Sequence, residues 1–431
     1  MTWIFTEEKI MLRLLDLPQR LLYRWKRRSL RRSSNPSPVV GFGGVLENKS
    51  IIHGGAVKLL ALRKNLSPQS TEAAKSFVAP VLKSSGMPYT FRALRSEAPC
   101  SSSASATLKT GSKAMENNEK NFNILYLVSS AQPKFAEDLV KTCRKRGIPF
   151  FWNQNGVGYP AWAGKASERH NAPMRRLRAQ ADYVIYQSIF CRDSAEGFLG
   201  PSLVPSEVLL NPVNLQKFFP LSERPPISPL RLLALGTHGY AERVLSTLHC
   251  LKAVRDAGQE AVLTIAGKFQ WGGGEASICR EIERLGLTAV VTLLPAFTQD
   301  QAVKLYQAHH IVLHPKYLDP CPTVVVEALA SGCPVVGSAS GGVPELVGND
   351  CGFLVPAPLS WDQMITPTGA ELAAGVMEIL PHFDSYATAA RIRGEALFDE
   401  ERWVERHRKI FLRVLSKLTR SLPLGSPFGL L

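Results

Sequence analysis

No apolar run in the chain approaches the ~20 residues that a membrane-spanning helix needs, so no membrane span is expected. The eight cysteines (Cys100, Cys143, Cys191, Cys250, Cys279, Cys321, Cys333, Cys351) form no C-x-x-C pair and have no histidine beside them at zinc-finger spacing. That scatter argues against a disulfide framework and against a zinc module, and fits free thiols in a reducing compartment. An intact G-x-G-x-x-G is missing after the first candidate strand, which removes the usual dinucleotide fingerprint. The opening MTWIFTEEKI is acidic before it is basic and no uninterrupted apolar core follows it, so a secretory leader is not expected. Together these absences point to the cytoplasm.

What is present is length, apolar content and positive charge. At 431 residues the chain exceeds the ~250–300 residues at which single cores stop growing, so two domains are expected. The apolar share is 45% and the net charge +15, with YRWKRRSLRR (Tyr23 to Arg32) the densest basic run. Over residues 10–32, Leu14, Leu15, Leu21, Leu22 and Trp25 alternate with Arg13, Arg20, Arg24, Lys26 and Arg27, interrupted at Pro18. Such a basic amphipathic segment can lie on an anionic membrane surface, giving a peripheral position on the inner face of a membrane. It can equally pack on the protein body or fray, and composition does not choose. Tyr23 and Trp25 are the run's only candidate stacking groups and no nucleic-acid module is recognisable, so no nucleic acid is expected as a partner.

The remaining pattern divides the chain. After the basic segment at 1–38, residues 39–219 read as a first Rossmann-like unit, interrupted near 66–121 by a Ser-rich insertion with little apolar periodicity. Gly54 and Gly55 precede the apolar pattern Val57, Leu59, Leu60, Leu62; a glycine pair there either lets backbone approach a ligand or makes a tight turn. Candidate strands Asn123 to Val128, Pro149 to Trp152 and Tyr183 to Tyr186 follow. The second ends in Asn153, Gln154, Asn155 and Gly156, at the carboxyl edge where open α/β sheets bind ligands. His170 and Asn171 fall in a polar link between strands. Residues 220–229, rich in proline, read as a stiff linker. In 230–390 strands and helices alternate again, with a first strand Leu230 to Leu235 expected to break at Gly236, Thr237 and His238, and another ending at Gly267 and Lys268. Residues 391–431 read as C-terminal helices. The expected fold class is α/β: two doubly wound, parallel-sheet units.

The densest concentration of chemistry lies in HPKYLDPCPTVVVEALASGCPVVGSASGGVPELVGNDCGFLVP, His314 to Pro356. Asp319 and Glu327 stand eight positions apart around a Pro-bracketed turn, and Gly341, Gly342 and Glu345 follow the next apolar run. Two carboxylates and free backbone amides in one short unit suit a sugar hydroxyl and a phosphate; an ordinary crossover with Gly/Pro-punctuated loops reads the same way. By propensity Thr323 to Val326 would be a strand, because β-branched residues dominate it.

This stretch resembles the GT-B glycosyltransferases, specifically the large retaining family numbered 4, most strongly over Val291 to Pro356 and more weakly at Gly54-Gly55, ADYVIYQS and LLNPVN. The resemblance implies two Rossmann-like domains facing across a cleft. It implies a helix, not a strand, from Thr323, with its N-terminus aimed at the donor diphosphate. In this reading Glu327 takes the ribose hydroxyls and Asp319, standing where the family has Glu, faces the donor sugar or its phosphate. The implied donor-binding set is Gly54, Gly55, Gly236, Thr237, Cys321, Thr323, Val324, Glu327, Gly341, Gly342 and Glu345. Arg243 and Lys268 would neutralise the departing nucleoside diphosphate and, with Asp319 and Glu327, make up the implied catalytic set; His238 stands where a further cation is expected. The first domain has no histidine at its strand end, so Asn153, Gln154 or Asn155 would meet the acceptor or the donor sugar.

The implied activity is retaining transfer of a hexose from a nucleotide-sugar co-substrate to a glycan, lipid-linked or small-molecule hydroxyl acceptor. It needs no cofactor and no metal, the latter in keeping with the absence of any Asp-x-Asp. The alternative is a catalytically silent protein of the same fold that binds membrane or polyanion through its basic N-terminus.

Overall fold

A computed structural model describes residues 31–32, 40–43, 121–133 and 135–420. Gly54, Gly55, the basic segment before residue 31 and nearly all of the Ser-rich stretch lie outside the described residues.

The first sheet contains β1 (Val40–Gly43), β2 (Ile124–Val128), β3 (Phe150–Gln154), β4 (Tyr183–Tyr186) and β5 (Ser206–Val208), all parallel and in sequential order. Its central strands read ILYLV, FFWNQ and YVIY and are buried throughout, as strands covered on both faces must be. Helices α1 (Ala136–Lys145), α2 (Pro160–Ala163), α3 (Ser167–Arg178) and α4 (Ile189–Leu199) connect them. His170 and Asn171, expected in a polar link, lie inside α3; the buried face that makes it a helix is formed by Asn171, Leu177 and Arg178.

The second sheet contains β6 (Leu230–His238), β7 (Ala261–Phe269), β8 (Val291–Leu294), β9 (Ile311–His314), β10 (Val335–Ala339) and β11 (Gly352–Pro356), in spatial order β8-β7-β6-β9-β10-β11. That is the doubly wound order of a dinucleotide-binding sheet, whose direction reverses between β6 and β9 and opens a crevice there. The covering helices are α5 (Ala241–Asp256), α6 (Gly274–Arg284), α7 (Gln299–Ala308), α8 (Thr323–Ala330), α9 (Val343–Val347), α10 (Gly369–Ile379) and α11 (Phe383–Leu397). One core packs Leu232, Leu248, Leu263 and Val376 on one face of the sheet, and another packs Leu233, Val312, Val325 and Leu329 on the other.

β6 does not break at Gly236. It continues through His238 because Gly236 pairs with Gly267 of β7 and both adopt positive φ, +112° and +134°. A Cβ on Gly267 would fall onto the Gly236 carbonyl. Only glycine allows the two strand ends to run this close while bending over the crevice.

The boundary expected between 390 and 391 falls inside α11. Beyond it the chain recrosses to the first domain beside its outward crossing: Val213 N donates to Phe398 O (2.7 Å) and Glu400 N to Val213 O (3.2 Å). Helix α12 (Glu400–Arg420) then lays Trp403, Val404, Ile410, Phe411 and Leu415 over Ile124, Tyr126, Phe151 and Ile185. Phe411 meets Phe151 edge-on at 4.7 Å between centroids, and His407 Nε2 lies 3.2 Å from the Tyr126 hydroxyl. The first domain is thus completed by the last described helix of the chain. Among the described residues no helix is long and apolar enough to cross a membrane.

Candidate active site in the interdomain cleft

At the switch point of the second sheet lies a cavity of about 310 Å³. The ends of β6 and β7 contribute Gly236, Thr237, Gly267 and Lys268; the loop after β9 contributes Lys316, Asp319, Pro320 and Cys321; α8 contributes Thr323, Val324 and Glu327. Ala296, Phe297 and Gln299 close one end, while Ser130, Asn155 and Gln187 form the first domain's wall.

Helix α8 begins at Thr323 with Pro322 as its N-cap. The β-branched run that propensity reads as a strand is overridden because Val325 and Val326 bury completely against the second core. Proline costs nothing at a helix start. The amides of Thr323 and Val324 belong to the first turn, whose N–H groups have no acceptor within the helix, and both residues line the cavity. With the helix dipole they form an anion-seeking end.

Glu327, on the inner face of α8, is 6% exposed. Its carboxylate accepts a hydrogen bond from Tyr306 Oη (3.0 Å) and a longer one from Gln299 Nε2 (3.5 Å). Burial pushes its pKa up to about 7, against the two hydrogen bonds. Asp319 is held differently. Its Oδ2 lies 3.0 Å from Lys316 Nζ and 3.3 Å from His314 Nε2. Burial would raise this carboxyl, but the lysine and histidine hold it well below the usual carboxylate range. Burial drives His314 itself toward the neutral form, partly offset by Asp319. The loop carrying this pair is strained at Leu318, whose φ is +48°, and such strain persists where surrounding contacts impose it; here Leu318 N donates to Ser340 Oγ (2.9 Å).

Arg243 projects from α5 beneath the ends of β6 and donates to the carbonyls of Thr237 (2.9 Å) and Leu235 (3.1 Å). It is 5% exposed and, as a guanidinium, keeps its charge despite the burial that lowers its pKa. Lys268 is exposed at the end of β7. Three cations, Arg243, Lys268 and Lys316, therefore face two carboxylates, one of which is poised near neutrality.

Several expected site residues do other work. Asn153 donates to Tyr126 Oη (2.8 Å) and accepts from Gln187 Nε2 (3.0 Å), while Gln154 accepts from Trp152 Nε1 and donates to Gly156 O, both at 2.6 Å. Both are buried structural polar groups, and of the three strand-end residues Asn155 lines the cavity. His238 is 1% exposed, held against Ala266 O (3.2 Å), and its pKa is driven down to about 3 by burial and the nearby Arg243. It is neutral at physiological pH and is not among the cavity-lining residues, so it supplies no further cation. Gly341, Gly342 and Glu345 also stand behind the lining. Gly342 N donates to Asp319 O (2.9 Å), and the Glu345 carboxylate accepts from Ile189 N (2.7 Å) and Phe190 N (2.8 Å) of the first domain. Lys316 and Gln299 were not singled out in the sequence; the three-residue step from Lys316 to Asp319 was the available signal for the first.

Two facing Rossmann-like domains with the ligand crevice on the second define the GT-B fold. Residues 229–366, about a third of the chain, match the family described as glycosyl transferases group 1. A D-inositol 3-phosphate glycosyltransferase of Mycobacteroides abscessus is 31% identical over 136 residues, 30% of this chain and 31% of that protein. The chain thus spans about a third of the length of that curated relative. Among solved structures, a glycosyltransferase from Rickettsia africae superimposes with a TM-score of 0.61 at 12% identity, covering 88% of this chain and 99% of its own. Anabaena HepE, solved in complex with UDP, gives 0.54 at 19% identity over 69% of this chain and 79% of its own.

Proposed function

We propose that the protein transfers a hexose from a nucleotide-sugar donor to a hydroxyl acceptor, with retention of configuration and with side-chain cations, not a metal, balancing the leaving group. The observation that carries this reading is the cavity's composition: Arg243, Lys268, the first turn of α8, Glu327 and Asp319 converge at the switch point of a doubly wound sheet. HepE, of the same fold, was solved with UDP bound.

In this reading the nucleoside lies toward Phe297 and Gln299, with its ribose hydroxyls donating to Glu327. Ionised Glu327 accepts two such bonds, and its burial makes an unpaired charge there costly until the ligand arrives. The diphosphate lies between the amides of Thr323 and Val324 and the cations Arg243 and Lys268. As the glycosidic C–O bond breaks, negative charge grows on the departing phosphate oxygen, and fixed positive groups in a desolvated cleft stabilise that change more than they stabilise the bound donor. Asp319, kept ionised by Lys316 and His314, faces the sugar as an acceptor of its hydroxyls. The acceptor, a glycan, lipid-linked or small-molecule alcohol, enters along Ser130, Asn155 and Gln187. No cofactor is required, and residues 10–32 would serve contact with an anionic membrane surface on the cytoplasmic side.

A panel of UDP-, GDP- and ADP-sugars tests the proposal through thermal stabilisation and sugar release. One class should stabilise the protein and turn over. No response to any of them, with Glu327→Ala behaving as wild type, would contradict it.

A further inference from the structure

Three consecutive carbonyl oxygens, those of Asp319, Pro320 and Cys321, form the backbone of the loop that carries Asp319 into the cavity, and each has a different donor. Gly342 N holds Asp319 O at 2.9 Å, Ser188 Oγ holds Pro320 O at 2.7 Å, and Asn211 Nδ2 holds Cys321 O at 2.6 Å. Pro320 and Pro322 have no N–H, so the carbonyls are the main handles by which this loop can be held. Two of the three donors lie outside the second domain: Ser188 caps α4 of the first, and Asn211 belongs to the connection leaving it.

A second contact exchanges the roles of side chain and backbone between the domains. Glu345, on α9, accepts from Ile189 N (2.7 Å) and Phe190 N (2.8 Å), the first two amides of α4. These have no acceptor within their own helix and lie at the positive end of its dipole. Arg393 donates to the backbone carbonyls of Glu345 (2.9 Å) and Leu346, so Glu345 is fixed from behind. Between the two contacts sits Gly342, where a Cβ would collide with Pro320 O and come within 3.0 Å of Ser188 Oγ. The domains touch here at backbone distance. Trp361, from the loop after β11, extends the contact by stacking on Phe190 at 5.7 Å.

We propose that Ser188 and Glu345 are positioning residues: together they latch the N-terminus of α4 to the second domain, and the latch shapes the Asp319–Cys321 loop for the donor. The proposal rests on the reading of the cavity as a nucleotide-sugar site. Approach of the domains brings Ser188 to the Pro320 carbonyl and the α4 amides to Glu345, so the loop reaches its working shape only when the cleft is closed. Glu345 then acts across the domain boundary and not on the ligand.

Substitutions can separate the latch from simple stability. Ser188 Oγ also accepts from Cys191 N (2.9 Å) as the cap of α4. Ser188→Asp keeps that acceptor but cannot donate to Pro320 O, Ser188→Thr keeps both roles, and Glu345→Gln leaves one oxygen for two amides. Ser188→Asp and Glu345→Gln should each raise the donor KM about tenfold or more, the scale expected for losing a hydrogen bond to a charged or buried partner. Ser188→Thr should stay within about twofold of wild type, and all three should melt within about 5 °C of it. Small-angle scattering should show a larger radius of gyration for Ser188→Asp than for wild type, with and without saturating nucleoside diphosphate. Unchanged KM in both Ser188→Asp and Glu345→Gln overturns the proposal, as does equal loss in Ser188→Thr and Ser188→Asp. If wild type uses no nucleotide sugar, the functional reading alone falls, and equal radii for wild type and Ser188→Asp then overturn the latch.

Discussion

At the scale of single residues, the two carboxylates of the cleft show how environment divides like groups. Asp319 sits beside Lys316 and His314 and stays ionised, whereas Glu327, with only neutral hydrogen-bond donors in contact, has its pKa raised from 4.5 to about 7. The raised value means the folded protein holds this proton more tightly than the unfolded chain. The stability it contributes is therefore present below about pH 4.5 and lost as pH rises through about 7. Relative to Glu327→Gln, wild type should lose stability over that window, as read by denaturant midpoints from pH 4 to 8. On the proposed function, nucleotide affinity should move the opposite way in wild type, rising through the same window as Glu327 ionises and can accept ribose hydroxyls, and the rise should be absent in Glu327→Gln. Equal pH profiles for the two proteins would refute this placement. Glu327, carried by the spaced acidic motif, and Arg243, after the first strand of the second domain, were singled out in the sequence, and both line the cavity. The role of Glu345 was not, because the amides that it caps lie 155 or more positions away in another domain.

At the scale of elements, the strands were readable because buried parallel strands are continuous apolar runs, and YVIY of β4 is one from end to end. Two readings went astray for local reasons. Gly236 looks like a strand terminator, yet pairing with Gly267 lets β6 and β7 pass through it. Thr323 to Val326 has strand propensity, yet burial on the core face and a proline start make it a helix. The glycine pair carries a prediction: Gly267→Ala places a methyl on the Gly236 carbonyl at a φ of +134° and should cost about 3 kcal/mol or more. Loss of that order in urea unfolding is expected, together with loss of nucleotide binding, because Gly267 and Lys268 share the cavity wall. A change below about 0.5 kcal/mol would show that the strand ends can separate freely.

At the scale of the whole molecule, the chain crosses between domains twice among the described residues. The outward crossing at Val213 and the return at Phe398 to Glu400 are hydrogen-bonded to each other, and α12 shares a buried core with the strands of the first domain. Two parallel-sheet domains were readable from the alternation of strands and helices. This return was not: the amphipathic pattern of Trp403, Ile410, Phe411 and Leu415 shows that a face is buried but not against which sheet. The arrangement leaves the cleft walled by both domains, with most of the cavity-lining groups, Arg243, Lys268, Asp319 and Glu327 among them, on the second. The most direct measurement of that account is calorimetric titration of the full chain with UDP, GDP and ADP, repeated on Glu327→Ala and Arg243→Met. The account predicts that one nucleoside diphosphate binds wild type and that each substitution weakens it about tenfold or more, as expected for losing a buried charged partner. Binding of equal strength to all three proteins, or to none, would contradict it.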